Sequence, residues 1–272
     1  MRKLELEDGY DQIEIIPDYG FSGRMDLEEI FLPKSVKKIG RYAFYNCRNL
    51  RKITFFNHIQ DIGSGAFTGC HKVHELDVTI VQENSSCLKE FLQELVEEMV
   101  VHYRHKEYAK LVFPEYFEEG IENTPARNLS SQIHGAGLVY RNCLHRGEFK
   151  FGEYDNCFQV ALNLERPELL QELVLGRLRY PYQLQDKGRK KYETYVKEHF
   201  VEIGKKLIQE KDAEGLRWFV ENYVEEENQI GKLLDEAGKR GEAECTACLM
   251  EIRNTRFGGV IPSGIPDFDF DF

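Results

Sequence analysis

The sequence has no run of about 18 apolar residues, the length a helix needs to cross a bilayer, so a spanning helix is excluded. Its first residues, Met1-Arg2-Lys3-Leu4-Glu5-Leu6-Glu7-Asp8, lack the apolar stretch of a secretion signal. A cytoplasmic location is therefore expected, and a cell-surface one only if a leader has been removed. Basic charge is also in short supply: 36 Lys and Arg stand against 47 Asp and Glu, a net charge of −11. The basic residues are scattered among carboxylates, so nothing lines up along a phosphate backbone and nucleic acid is not an expected partner.

Signatures of chemistry are missing too. There is no glycine-framed serine and no phosphate loop, and Gly135-Ala136-Gly137 lacks the third glycine and preceding strand of a dinucleotide fingerprint. His102 and His105 are three apart, where a helical zinc motif needs four. Cys70-His71-x-x-His74 has metal-binding residue types, but Cys70 falls at an inward position and His71 begins the turn outward. Cys245-Thr246-Ala247-Cys248 has redox spacing without a second pair, and reads as small residues of a helix core. Seven cysteines, an odd number, do not make a disulfide framework. Neither cofactor nor metal nor catalytic residue is expected.

What the chain does have is a repeat. Ile39-Gly40-Arg41-Tyr42-Ala43-Phe44-Tyr45-Asn46-Cys47 recurs 23 residues later as Ile62-Gly63-Ser64-Gly65-Ala66-Phe67-Thr68-Gly69-Cys70. A worn copy precedes them at Ile16, Gly20 and Phe21, and Leu4 and Ile13 hint at an earlier capping turn. A fixed period in the twenties predicts a stacked solenoid, here of about three and a half coils. Within each coil Leu27-x-x-Ile30-x-Leu32, Leu50-x-x-Ile53-x-Phe55 and Val73-x-x-Leu76-x-Val78 have strand alternation that turns the fourth and sixth places inward. The Ala-Phe pair then drives a ring into the core. Cys47 and Cys70 share one repeat position and are expected as neighbouring buried thiols.

This pattern, Ile-Gly-x-x-Ala-Phe-x-x-Cys-x-x-Leu-x-x-Ile, resembles the BspA-type leucine-rich repeats common in bacteria, over roughly residues 12 to 82. The resemblance implies a bacterial interaction module without chemistry of its own. Residues between the inward positions should stack outward in columns: Glu29, Lys52 and Glu75; Phe31, Thr54 and Asp77; Pro33, Phe56 and Thr79. Charge alternation in the first column fits simple cross-strand pairing. Outward rings at Phe31 and Phe56 fit a contact site for a partner or for the rest of the chain.

The period changes at Ser85. Leu88, Phe91, Leu92, Leu95, Val96 and Met99 recur at helical spacing, which predicts one capping helix and a domain boundary near residue 84. Residues 126 to 145 read as a helix broken at the glycines, and 187 to 210 as one long helix. Residues 161–174, 207–220 and 234–251 read as helix-turn-helix units and resemble ankyrin repeats without their threonine-proline-leucine-histidine tag. The chain closes on Asp267-Phe268-Asp269-Phe270-Asp271-Phe272, an alternation of acid and ring suited to docking along a sheet edge or groove, or simply an idle tail.

The expected fold class is thus α+β: a leucine-rich-repeat solenoid over 1–84, an all-helical ankyrin-like array over 85–257, and a flexible acidic and aromatic tail over 258–272. The expected function is a non-enzymatic protein-binding scaffold of a bacterium. Its candidate contact residues are Glu29, Phe31, Lys52, Thr54, Phe56, Glu75, Asp77, Phe268, Phe270 and Phe272. Two alternatives stay open: a ligand or enzyme site assembled in the helical half from distant residues, and a surface adhesin.

Overall fold

A computed structural model describes residues 3–5, 13–123, 128–145 and 147–258. The chain divides into two compact units, Met1–Lys190 and Lys191–Phe272.

The first unit begins with short strands: β1 (Lys3–Glu5), β2 (Ile15–Ile16), β3 (Glu29–Phe31), β4 (Lys38–Ile39), β5 (Lys52–Phe56), β6 (Asp61–Ile62) and β7 (Glu75–Thr79). Helix α1 (Cys87–Glu94) leads into β8 (Met99–Arg104) and β9 (Tyr108–Phe113). A ribbon follows, β10 (Phe117–Asn123) paired antiparallel with β11 (Asn128–His134), then α2 (Gly137–Arg141), β12 (Leu144–His145) and β13 (Glu148–Phe149). Helices α3 (Phe151–Leu164) and α4 (Pro167–Arg179) complete it, and α5 (Asp186–Glu198) crosses into the second unit.

The principal sheet has the order β1-β3-β5-β7-β8-β9, all parallel except β9. β2, β4 and β6 form a second, narrow parallel sheet. Between the two sheets lies the core set by the repeat. Phe44 stacks on Phe21 at 5.3 Å and on Phe67 at 5.2 Å, nearly parallel in both cases. Cys47 donates its thiol to the Phe21 carbonyl and Cys70 to the Phe44 carbonyl, both at 3.1 Å, so the repeated cysteine ties each coil to the one before. The repeated glycine is required by close approach and not by a left-handed backbone: a Cβ on Gly63 would lie 2.4 Å from the Arg41 nitrogen, and Gly63 is not among the positive-φ residues.

Two expectations need correction in this unit. The capping helix is only eight residues long, and Met99 starts a strand. Phe91 on α1 continues the ring stack, 5.1 Å from Phe67 and 4.1 Å from Phe55, while β8 pairs in parallel with β7. Residues 85–104 therefore form another coil in which a helix replaces the turn, and the sheet continues past the boundary expected near residue 84. Residues 126–145 are not a broken helix. They hold β11 and the five-residue α2, because 128–134 find a hydrogen-bonding partner in 117–123 that outweighs local helical spacing. The tight packing at the glycines is real: a Cβ on Gly137 would lie 2.3 Å from the Pro114 carbonyl oxygen.

Helices α3 and α4 are joined by a buried ion pair. Arg177 is fully buried, and its Nε and Nη2 reach the two carboxylate oxygens of Asp155 at 2.8 and 3.1 Å. Arg177 also donates to the Tyr182 carbonyl, so few of its donors lack an acceptor.

The second unit is helical: the end of α5, then α6 (Phe200–Gln209), α7 (Ala213–Tyr223), α8 (Glu227–Arg240) and α9 (Ala243–Phe257). The long helix expected over 187–210 is two helices, parted at His199, where φ is −122°; nothing in the local sequence marks the break. The three helix-turn-helix units are present as α3/α4, α6/α7 and α8/α9, with Pro167 at the start of α4 where its missing N–H costs nothing. Asp212 caps α7 by accepting from the Gly215 N–H at 2.8 Å, and Gly241 ends α8 in the left-handed region. Cys245 and Cys248 are buried on α9, and burial pushes both thiols up in pKa.

Candidate protein-binding face

The outward columns stand where the repeat puts them. Glu29, Lys52 and Glu75 are in register, as are Phe31, Thr54 and Asp77, and Phe56 faces Thr79. Strands β8 and β9 extend these rows: Val100 beside Glu75, His102 beside Asp77, Arg104 beside Thr79, with Lys110 opposite His102 and Tyr108 opposite Arg104. Sequence reading missed this half of the face, since it took 85–99 as helix. The alternation of Met99, Val101 and Tyr103, buried every second residue, was the signal available.

One side of the face is apolar. Phe31 and Phe56 meet edge to face at 6.2 Å, both half-buried, and the Lys34 ammonium lies 5.3 Å from the centre of the Phe56 ring. The other side is an ordered polar network. Glu75 accepts from Lys52 and from His102 Nε2, the latter at 3.1 Å, while His102 Nδ1 sits 2.5 Å from the Tyr108 hydroxyl. Arg104 holds Asp77 in a two-pronged pair at 2.7 and 2.9 Å and lies over the Tyr108 ring. Tyr180 meets Tyr108 edge-on at 4.6 Å, and Lys110 pairs with Glu172 of α4 at 3.1 Å. The cross-strand reading of the charges thus holds for Lys52 and Glu75.

The His102 hydrogen bond, followed by the Lys52 pair, holds the Glu75 carboxyl down at about 2. A folded pKa below the unfolded one contributes stability that is present above about 4.5 and lost as pH falls toward about 2. After solvent screening the contribution is about 1 kcal/mol. Urea denaturation of Glu75→Gln should show a shallower stability loss than the parent between pH 4.5 and 2. Identical slopes would mean that the network does not favour the ionised carboxylate.

Phe268, Phe270 and Phe272 lie outside the described residues. Among the described residues no group of three or more His, Cys, Asp or Glu side chains is placed to hold a metal ion, and no helix is long and apolar enough to cross a membrane. The face offers a surface with most of its charges already paired, Glu29 excepted among the described residues, and rings left partly open, an arrangement that can bind.

Residues 3–95 match the BspA type leucine rich repeat region, in six copies, about a third of the chain. No curated protein and no solved structure matches the chain.

Proposed function

With residues 3–95 forming a BspA-type leucine-rich repeat region, we propose that this protein is a non-enzymatic scaffold whose outward sheet face takes a protein partner. Leucine-rich repeats generally mediate protein–protein interaction, and their stacked strands present extended surfaces suited to it. The observation that carries the reading is the Phe31–Phe56 pair, two rings held edge to face on the outer side of a sheet where Lys52, Glu75, Asp77 and Arg104 are already paired with one another. Aromatic anchors at the centre of a contact carry most of its energy, whereas charges already paired contribute orientation more than affinity. The partner's complementary feature is an apolar side chain flanked by polar groups.

The test combines a photo-crosslinking residue at Thr54 in the full chain with the double substitution Phe31→Ser and Phe56→Ser. The crosslinked protein is identified and its affinity measured. The double variant should melt close to the parent, since both rings are half-buried, and should bind at least about 30-fold more weakly. Unchanged affinity would refute the assignment, and so would collapse of the fold, which would make the rings part of the core.

A further inference from the structure

Within the first unit, at the carboxyl ends of β5, β7 and β8, lies a cavity of about 430 Å³, inside the range of about 300 to 1,000 Å³ that small-molecule sites occupy. It is distinct from the sheet face. Its floor is a cluster of rings: Tyr103, Phe149, Phe151 and Tyr182, with Phe149–Phe151 at 4.7 Å, Phe151–Tyr182 at 5.2 Å and Tyr103–Phe151 at 5.5 Å, each pair at right angles.

The walls are formed in advance. Asn57 is buried and holds one of them: its amide donates to the Gln82 carbonyl at 2.6 Å, and its oxygen accepts from the Val81 and Gln82 N–H groups at 2.8 and 3.0 Å. Ser85 closes onto the Asn57 carbonyl. Gly147, in the turn between β12 and β13, presses so near that a Cβ there would lie 2.2 Å from the Asn84 carbonyl carbon. On the opposite side His105 Nδ1 and the Tyr182 hydroxyl are 3.1 Å apart.

One group on the floor is left over. Tyr103 is nine-tenths buried and lines the cavity, yet no described residue hydrogen-bonds its hydroxyl. Burial, with Tyr182 and Glu148 nearby, raises its pKa to about 12, so at neutral pH the group is an uncharged donor. The hydroxyl itself stays accessible to solvent, unlike the sealed hydroxyl of Tyr140, so it opens into the cavity where water or a ligand can meet it. Among the described lining residues the charges nearly cancel: Glu83 is balanced by Lys106, and Glu148 is neutralised by Lys150 from outside the lining, at 2.5 Å. Neither an anion nor a cation is selected. What is selected is a neutral molecule with many hydroxyls and one apolar side.

We propose that this cavity binds a small neutral sugar, its C–H face against the ring floor and its hydroxyls bonded to Tyr103 and to the amides of Gln82, Asn84 and Gln183. Gln82, Asn84 and Gln183 line the cavity and are exposed, so their amides are open to a ligand's hydroxyls, and buried Tyr103 supplies the floor.

Saturation-transfer NMR on the full chain, with methyl glucopyranoside, methyl mannopyranoside and N-acetylglucosamine as probes, tests this. Tetramethylammonium and inorganic phosphate serve as charged comparators. At least one sugar should saturate with a Kd on the order of 1 mM. Tyr103→Phe, which keeps the ring, should weaken it about fivefold, the loss of one hydrogen bond, and Gln183→Ala should act in the same direction. Tyr19→Ala, remote from the cavity, should change nothing. If Tyr103→Phe does not fold, exposed Gln183 alone decides. The proposal is overturned if no sugar saturates, if Gln183→Ala leaves its affinity intact, or if either charged probe binds there more tightly than every sugar.

Discussion

Replacing Phe67 by alanine should destabilise the first unit by about 4 kcal/mol, the usual cost of removing a buried ring and leaving its cavity. Phe67 is 1% exposed and sits in the middle of the stack, against Phe44 at 5.2 Å and Phe91 at 5.1 Å. Its removal breaks contact with the coil before and the coil after, and in a solenoid the interfaces between neighbours carry much of the stability. The flanking backbone is already constrained by Gly63 against Arg41 and by the Cys70 thiol on the Phe44 carbonyl, so the site cannot collapse to fill the void. Urea denaturation followed by circular dichroism measures the loss. Phe67→Leu should recover more than half of it, and Tyr19→Ala, on an exposed ring, should cost no more than about 0.5 kcal/mol. A Phe67→Ala cost under about 1 kcal/mol would show that the ring stack does not hold the coils together.

That stack was legible because each of its members is fixed by residues a few places away and repeated at a constant step. The same holds for the Glu29, Phe31, Lys52, Thr54, Phe56, Glu75 and Asp77 columns: once the period is known, strand alternation decides which side chains face outward. Legibility ended where the step changed. Phe91 follows Phe67 by 24 residues and Val101 pairs with Leu76 across 25, so the next coil no longer matches at 23, and its apolar residues on α1 mimic a free amphipathic helix. His102, Arg104 and Tyr108 were lost to the candidate face with it. Residues 128–134 failed for a different reason, since their strand exists only through pairing with 117–123. The cavity was wholly out of reach of local spacing: Tyr103, Phe149, Phe151 and Tyr182 converge from a strand, a hairpin, a helix and the segment after another helix.

Arg141 shows how much can depend on a residue with no motif around it. It is 3% exposed, and all five of its N–H groups are used: Nε donates to Leu92 at 2.9 Å, Nη1 to Pro114 at 2.5 Å and Gly137 at 3.2 Å, and Nη2 to Leu95 at 3.0 Å and Glu97 at 2.8 Å, every acceptor a backbone carbonyl. Leu92 and Leu95 belong to the end of α1, where helical carbonyls have no intrahelical partner, so a side chain from α2 does the capping. Burial lowers the guanidinium pKa to about 10, which still leaves it charged at neutral pH, and the Tyr116 ring at 5.1 Å adds to its stabilisation. Arg141→Met fills similar space but strands those carbonyls, each costing about 1 to 3 kcal/mol if water cannot reach it. Partial relaxation limits the expected loss to about 4 kcal/mol. Arg141→Lys, with three donors on a single nitrogen, should fall between the parent and Arg141→Met. Amide hydrogen exchange should place the damage at the end of α1 and the start of β8, because the coil that carries Phe91 loses its anchor there. Near-parent stability of Arg141→Met would mean that water replaces the guanidinium at no cost and that α1 is held by Phe91 alone.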